Sequence, residues 1–223
     1  MASIATVTQA QDGASDLLSR LVDAEGSAGH RYIVSADLNS GRFATRNLAD
    51  AIHHLCTLHG RHPGVLDHAA VHTANDGARG WLISAVDGFA GERAVLAKLV
   101  VAVGPLPSTP GQAESESAVN GQRHALDMLA QSDRDGCALG AAMALVLDWH
   151  TVRGALDTIA NRLGVMIPDA ALPTRHETLA VAASVATTSG IERAMAFGAQ
   201  QLLGQHRGLW DLLNARQIAR GEY

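Results

Sequence analysis

The run Cys137–Leu147, Cys-Ala-Leu-Gly-Ala-Ala-Met-Ala-Leu-Val-Leu, constrains the fold more than any other segment of this 223-residue chain. Wound as a helix it is apolar on every side, and such a helix has to be enclosed by its neighbours. It falls well short of the roughly 20 residues a helix needs to cross a bilayer, so it reads as the centre of a soluble core. The helix it opens is predicted over 135–163. Its second half turns amphipathic and therefore reaches the periphery.

Start and stop chemistry sets the other elements. Thr109-Pro110-Gly111-Gln112 reads as a capping box with Pro110 at the first helical position, and it predicts a helix over 110–131. Just upstream, Gly104-Pro105-Leu106-Pro107 ends a helix predicted over 77–103. Further boxes stand at Thr174-Arg175-His176-Glu177 and Ser189-Gly190-Ile191-Glu192. Shorter helices are predicted at 14–25, 47–60, 64–74, 175–187, 190–205 and 207–219, with His62-Pro63-Gly64 breaking one pair. Arg31 to Asp37 reads as an extended loop or helix edge, because a lone strand would have no partner.

No repeat, linker or low-complexity tract divides the chain. The expectation is an all-α, bundle-like single domain over 1–223, framed by the three long helices, with residues 1–12 a flexible N-terminus. Aromatic residues make up only 4% of the sequence while glycine numbers 22, so the core has to pack Leu, Val and Ile against small side chains that bring helices close.

A net charge of −5 and the lack of a Lys/Arg cluster interleaved with aromatics argue against a nucleic-acid partner. The N-terminal residues have neither a basic start nor a long apolar stretch, so no secretory signal is expected. Cys56 and Cys137 sit in apolar helical patterns and read as small buried hydrophobes rather than a disulfide pair. A cytoplasmic protein is the expectation.

Function has to come from titratable residues at core positions, since burying one alone costs several kcal/mol. Glu92 interrupts the stripe Leu82, Ala85, Phe89, Leu96, Leu99, and either pairs with Arg153 or faces a site. Arg153 similarly interrupts Ala142, Val146, Trp149, Leu156 and Leu163. Six histidines crowd between 53 and 72. Within them His59 and His62, three apart and on one face, continue the stripe Leu48, Ile52, Leu55. Cys56 lies three residues before His59, and His68 and His72 are four apart on the next helix. This spacing admits a metal site of neutral imidazoles with a thiolate, or a loop whose imidazoles satisfy backbone carbonyls. Asp148, His150, Arg153 and Asp157 form a further polar group, with Asp148 on a different strip from the other three. His124, with Glu116, Asn120 and Asp127, marks a solvated face.

The Ala/Gly-rich run before Asp148 and the inward Glu92 are similar to features of ferritin-like carboxylate bundles. That resemblance implies close-packed helices and metal-binding carboxylates, of which Glu92 is the one residue carried over. The Glu-x-x-His pairs of that class are absent from this sequence, and no more specific family is identified.

The expected candidate ligands of a divalent metal, iron or zinc, are therefore His59, His62 and Glu92, with Cys56, His68, Asp148 and His150 as further candidates. A second enzyme reading makes Glu92 a general base partnered by His59 or His62. Nucleophile elbows and phosphate-cradling glycine motifs are absent. The function expected is that of a helical protein binding a metal or small ligand, with no membrane span. Its alternative is an interaction scaffold or homodimer using Trp210 with Leu209, Leu212 and Leu213.

Overall fold

The computed structural model describes residues 13–221, and the N-terminal segment 1–12 lies outside them. The elements are α1 (Ala14–Glu25), α2 (Ala36–Asn39), α3 (Ala44–His59), α4 (Val65–His72), α5 (Asp76–Val103), α6 (Gln112–Ala130), α7 (Cys137–Leu163), α8 (Arg175–Val185) and α9 (Ser189–Ala219), with a 3-10 turn at Ser27–Gly29. No strand forms among the described residues, and the protein is all-α.

The apolar run does what its composition requires. Every residue from Cys137 to Trp149 on α7 is buried, and Trp149 is fully so. Its closest neighbour is α9. Gly136 meets Ile191, Gly140 meets Met195, and Asp148 meets His206, so the pairings advance together and the two helices run in the same direction. Across α3 the order reverses. His59 meets His206, Asp50 meets Arg216 and Asn47 meets Gln217, which makes α3 and α9 antiparallel. The helix α5 leans on α7 through Glu92 and Arg153 and on α8 through Trp81 and Thr178. The buried apolar side chains form one continuous cluster from Leu18 to Leu213.

Local chemistry accounts for most helix ends. The Thr174 hydroxyl accepts from the Glu177 amide while the Glu177 carboxylate accepts from the Thr174 amide, the reciprocal capping box the sequence predicts. Several starts differ, three of them informatively. α6 begins at Gln112, not 110, because Gly111 takes the cap position at φ 73°, and the Thr109 hydroxyl is drawn away to the Pro107 carbonyl and to Arg216. α9 is capped by Thr188, whose side chain accepts from the Ile191 amide, which makes Ser189 the first helical residue. α3 starts three residues before its predicted position, at Ala44.

The largest departure is α9, which is continuous where two helices were predicted to meet near residue 206. Gly204 and Gly208 cost a helix interior about 1 kcal/mol each. Burial of Leu202, Leu203, His206, Leu209, Trp210 and Leu213 along one side outweighs that, at about 1.5–3 kcal/mol for each large apolar side chain. Arg31–Asp37 folds as turns running into the short α2, capped by Ser35.

Candidate functional site

A chain of buried polar groups runs through the middle of the bundle. The Ser27 turn brings its backbone amide within 2.6 Å of Asp148 Oδ1 and its hydroxyl within 2.5 Å of Oδ2. Gly26 makes this approach feasible, since a Cβ there would lie 2.7 Å from Asp148 Oδ1. The Trp210 indole N–H donates to the Ser27 hydroxyl at 2.8 Å. On the other side His206 Nδ1 stands 2.6 Å from Asp148 Oδ2, and His206 Nε2 stands 2.9 Å from His59 Nε2. Ser27, Asp148, His206 and His59 are all buried.

The hydrogen bonds fix most of the protons. Asp148 accepts two bonds from Ser27, and a carboxylate can only accept, so His206 Nδ1 is the donor. Burial pushes the Asp148 carboxyl up, but the His206 hydrogen bond and charge and the two Ser27 bonds outweigh it and hold it below its ordinary value. His59 lies well below the ordinary imidazole value, first because it is buried and then because the His206 and Arg93 charges oppose its own. It is neutral at pH 7. Its ring is wedged edge-on against Trp149, Phe89 and His206, with centroids 5.4, 6.2 and 5.0 Å away.

Between His59 and His206 one proton is shared, and two arrangements satisfy every partner. With the pair neutral, His59 Nε2–H donates to His206 and His59 Nδ1 carries a lone pair. With one proton more, the His206 imidazolium donates to His59 Nε2 and His59 Nδ1 bears a hydrogen. Uptake of a proton at Nδ1 thus leaves the positive charge on His206, directly against the Asp148 carboxylate.

His59 is also where this chain meets open space. A cavity of about 230 Å³ opens where the end of α3, the 60–64 loop and α4 face α5 and α6, and His59 and Phe89 are part of its wall. The loop and α4 contribute Arg61, His62 and His68, and α6 contributes Arg123 and Asp127. The Nε2 atom of His59 is taken by His206, which leaves Nδ1 as the ring nitrogen for a ligand.

A family model described as a family of unknown function matches residues 22–221, nearly the whole chain. The chain belongs to DUF6975. No curated protein and no solved structure matches it.

In this DUF6975 chain the residues singled out by sequence divide between three places. His59, His62 and His68 share the cavity wall. His62 is mostly exposed, with Nδ1 3.2 Å from Asp67 Oδ1 but not aligned for a hydrogen bond, and Asp67 also binds Arg93 and the Gly64 amide. Glu92 does not join the histidines. Its carboxylate accepts from Arg153 Nη1 at 2.6 Å and from the Trp149 indole at 3.0 Å, so it pairs with Arg153 rather than with His59 or His62. Arg153 in turn holds Asp157 and the Pro168 carbonyl.

Asp148 belongs to the buried hydrogen-bond relay Ser27–Asp148–His206–His59, whereas His150, two residues on, is exposed and reaches the Pro173 carbonyl at 3.4 Å. Cys56 is half-buried, and burial raises its thiol above its ordinary value. Among the described residues no three His, Cys, Asp or Glu side chains gather as a metal ion would require. His124 is exposed, as expected of a solvated face. No helix is long and apolar enough to cross a membrane among the described residues. Trp210, Leu209 and Leu213 are buried inside the DUF6975 bundle, so they form no free contact patch.

Sequence reasoning missed His206 and Ser27. His206 was legible by the same rule that found Glu92, for it interrupts Ala199, Leu202, Leu209 and Leu213 on α9. Ser27 carried no such signal.

Two buried histidines give the DUF6975 chain a pH-dependent stability. His54, like His59, is lowered by burial, only partly offset by the Asp50 carbonyl and charge. A lowered folded value means that below about pH 6.5 the unfolded chain takes up protons the folded chain refuses, so stability falls as pH falls. Urea melts are expected to show unfolding free energy dropping below that pH by on the order of 1 kcal/mol per pH unit for each histidine. His54→Gln should flatten the slope. An unchanged slope in that variant would show that His54 is not held neutral.

Proposed function

We propose that this protein binds a small molecule in the cavity beside His59 and performs general acid–base chemistry on it. His59 is the group that exchanges a proton with the ligand, and His206 and Asp148 position it and receive the charge. The observation that carries the reading is the 2.9 Å contact between the two Nε2 atoms, in a chain that ends on a buried carboxylate at one side and on a cavity wall at the other. A histidine placed only for packing has no need of an oriented partner that is itself oriented by a carboxylate. A base whose proton has somewhere to go does.

The cavity is smaller than the 300–1,000 Å³ typical of sites for drug-sized ligands, which favours a small ligand. Metal chemistry is not part of the proposal, because His59, His62 and Glu92 each take a different partner.

Hydrolysis of 4-nitrophenyl acetate is a generic readout of an available imidazole. The protein-dependent rate is expected to fall at least tenfold in His59→Gln. In Asp148→Asn it should fall mainly through kcat, with KM little changed, since Asp148 touches only His206 and Ser27. Nitrogen NMR of the rings should find His206 protonated at Nδ1 in the parent and this preference lost in Asp148→Asn. A folded His59→Gln variant with the parent rate would refute the reading.

A further inference from the structure

The cavity beside His59 has an uneven charge, and from it we infer the ligand class: a small molecule with an anionic head group, a carboxylate or a phosphate, held by Arg61 and Arg123. This inference rests on the proposed cavity but not on proton transfer by His59.

The arginines whose side chains are buried are matched. Arg153 has Glu92 and Asp157, Arg216 has Asp50, and Arg93 has Asp67. Arg61, from the 60–64 loop, and Arg123, from α6, both line the cavity, and among the described residues neither has an ion-pair partner. The one carboxylate on the wall, Asp127, sits one turn along α6 from Arg123 without pairing to it. His62 and His68 add imidazoles to the same rim.

Arg61 is exposed and Arg123 half-buried, so both bring their charge to the cavity without a carboxylate to meet it, and a planar fork of donors suits carboxylate or phosphate oxygens. Leu58, Leu126 and Phe89 give the same wall an apolar part. That part would cover a short apolar or planar body attached to the head group, which places the body against Phe89 and beside His59. Arg61→Gln and Arg123→Gln alter residues outside the hydrophobic core, so both variants can be assayed folded.

The test is calorimetry with benzoate, phenyl phosphate and benzamide, which share a ring and differ in head group. Benzoate or phenyl phosphate is expected to bind, with at least tenfold weaker affinity in Arg61→Gln and in Arg123→Gln, while neutral benzamide does not bind measurably. Whichever of the two anions binds more tightly separates the carboxylate from the phosphate source. Benzamide binding as well as benzoate, affinities unchanged in both variants, or no binding of any of the three would each overturn the assignment.

The two readings fail separately. Absent anion binding with His59-dependent ester hydrolysis intact removes the anion assignment alone. Arginine-dependent anion binding in a protein whose hydrolysis ignores His59 removes the acid–base reading alone.

Discussion

Asp50→Ala is expected to lower the unfolding free energy by about 3–5 kcal/mol, the usual result of removing one member of a buried ion pair and leaving the other charge behind. Asp50 is fully buried on α3, and Arg216 of α9 and Arg220 just past its end converge on it. Arg216 binds both carboxylate oxygens, through Nε at 2.9 Å and Nη2 at 2.9 Å, and Arg220 adds a bond at 2.8 Å. Thr109 and Gln112 also accept from Arg216 Nη2, so the cluster ties α3, the start of α6 and the end of α9 together.

The loss is a large share of the 5–15 kcal/mol by which a native protein is normally stable. Asp157→Ala is the matching control. Asp157 also binds a buried arginine, but it is half-exposed and Arg153 keeps Glu92, so a cost below about 1 kcal/mol is expected. Urea denaturation followed by circular dichroism measures both. Equal small losses would show that the Asp50 cluster does not hold the helices together.

Gly140→Ala and Gly198→Ala are each expected to cost about 3 kcal/mol or more, although alanine is the better helix former by about 1 kcal/mol. A Cβ at Gly140 would stand 2.1 Å from the Met195 carbonyl oxygen and 2.5 Å from its Cα, and one at Gly198 would stand 2.0 Å from the Cys137 carbonyl oxygen. The obstacle in both cases is backbone, which cannot swing aside as a side chain can. Relief requires α7 and α9 to separate, and separation pulls His206 away from Asp148 and disturbs the relay along with the core. Gly121→Ala has the opposite sign. Nothing lies within 4 Å of a Cβ there, so it should gain up to about 1 kcal/mol through helix propensity alone. Thermal melts of the three variants give the signs directly, and a stabilised Gly198→Ala would mean that the helices do not approach as closely as described.

The candidate site was half-legible. His59 was found because an imidazole in place of Leu or Ala on a core stripe needs a reason, and the same rule pointed to Glu92 and Arg153. It did not say that the last two would satisfy each other. The Glu92–Arg153 pair was one of two arrangements the sequence allowed, and the histidines were the other. What separates them is how α5 and α7 are rotated about their axes, which a stripe on one helix does not record. Arg61 and Arg123 drew no notice at all, since a loop arginine and an arginine on a polar helix face are unremarkable until they are found lining one cavity.

Helix existence and most helix ends were set by sequence alone, because caps, glycines and the apolar period act within a few residues. Thr174 finds Glu177, and the all-apolar start of α7 has nowhere to go but the centre. The relay was decided only in three dimensions. Ser27 reaches Asp148 across 121 positions and His59 reaches His206 across 147, contacts that depend on the parallel run of α7 with α9 and the antiparallel run of α3. Each such contact is fixed by the summed packing of whole helix faces, in which a glycine at 140 or 198 counts as much as the histidines it brings together.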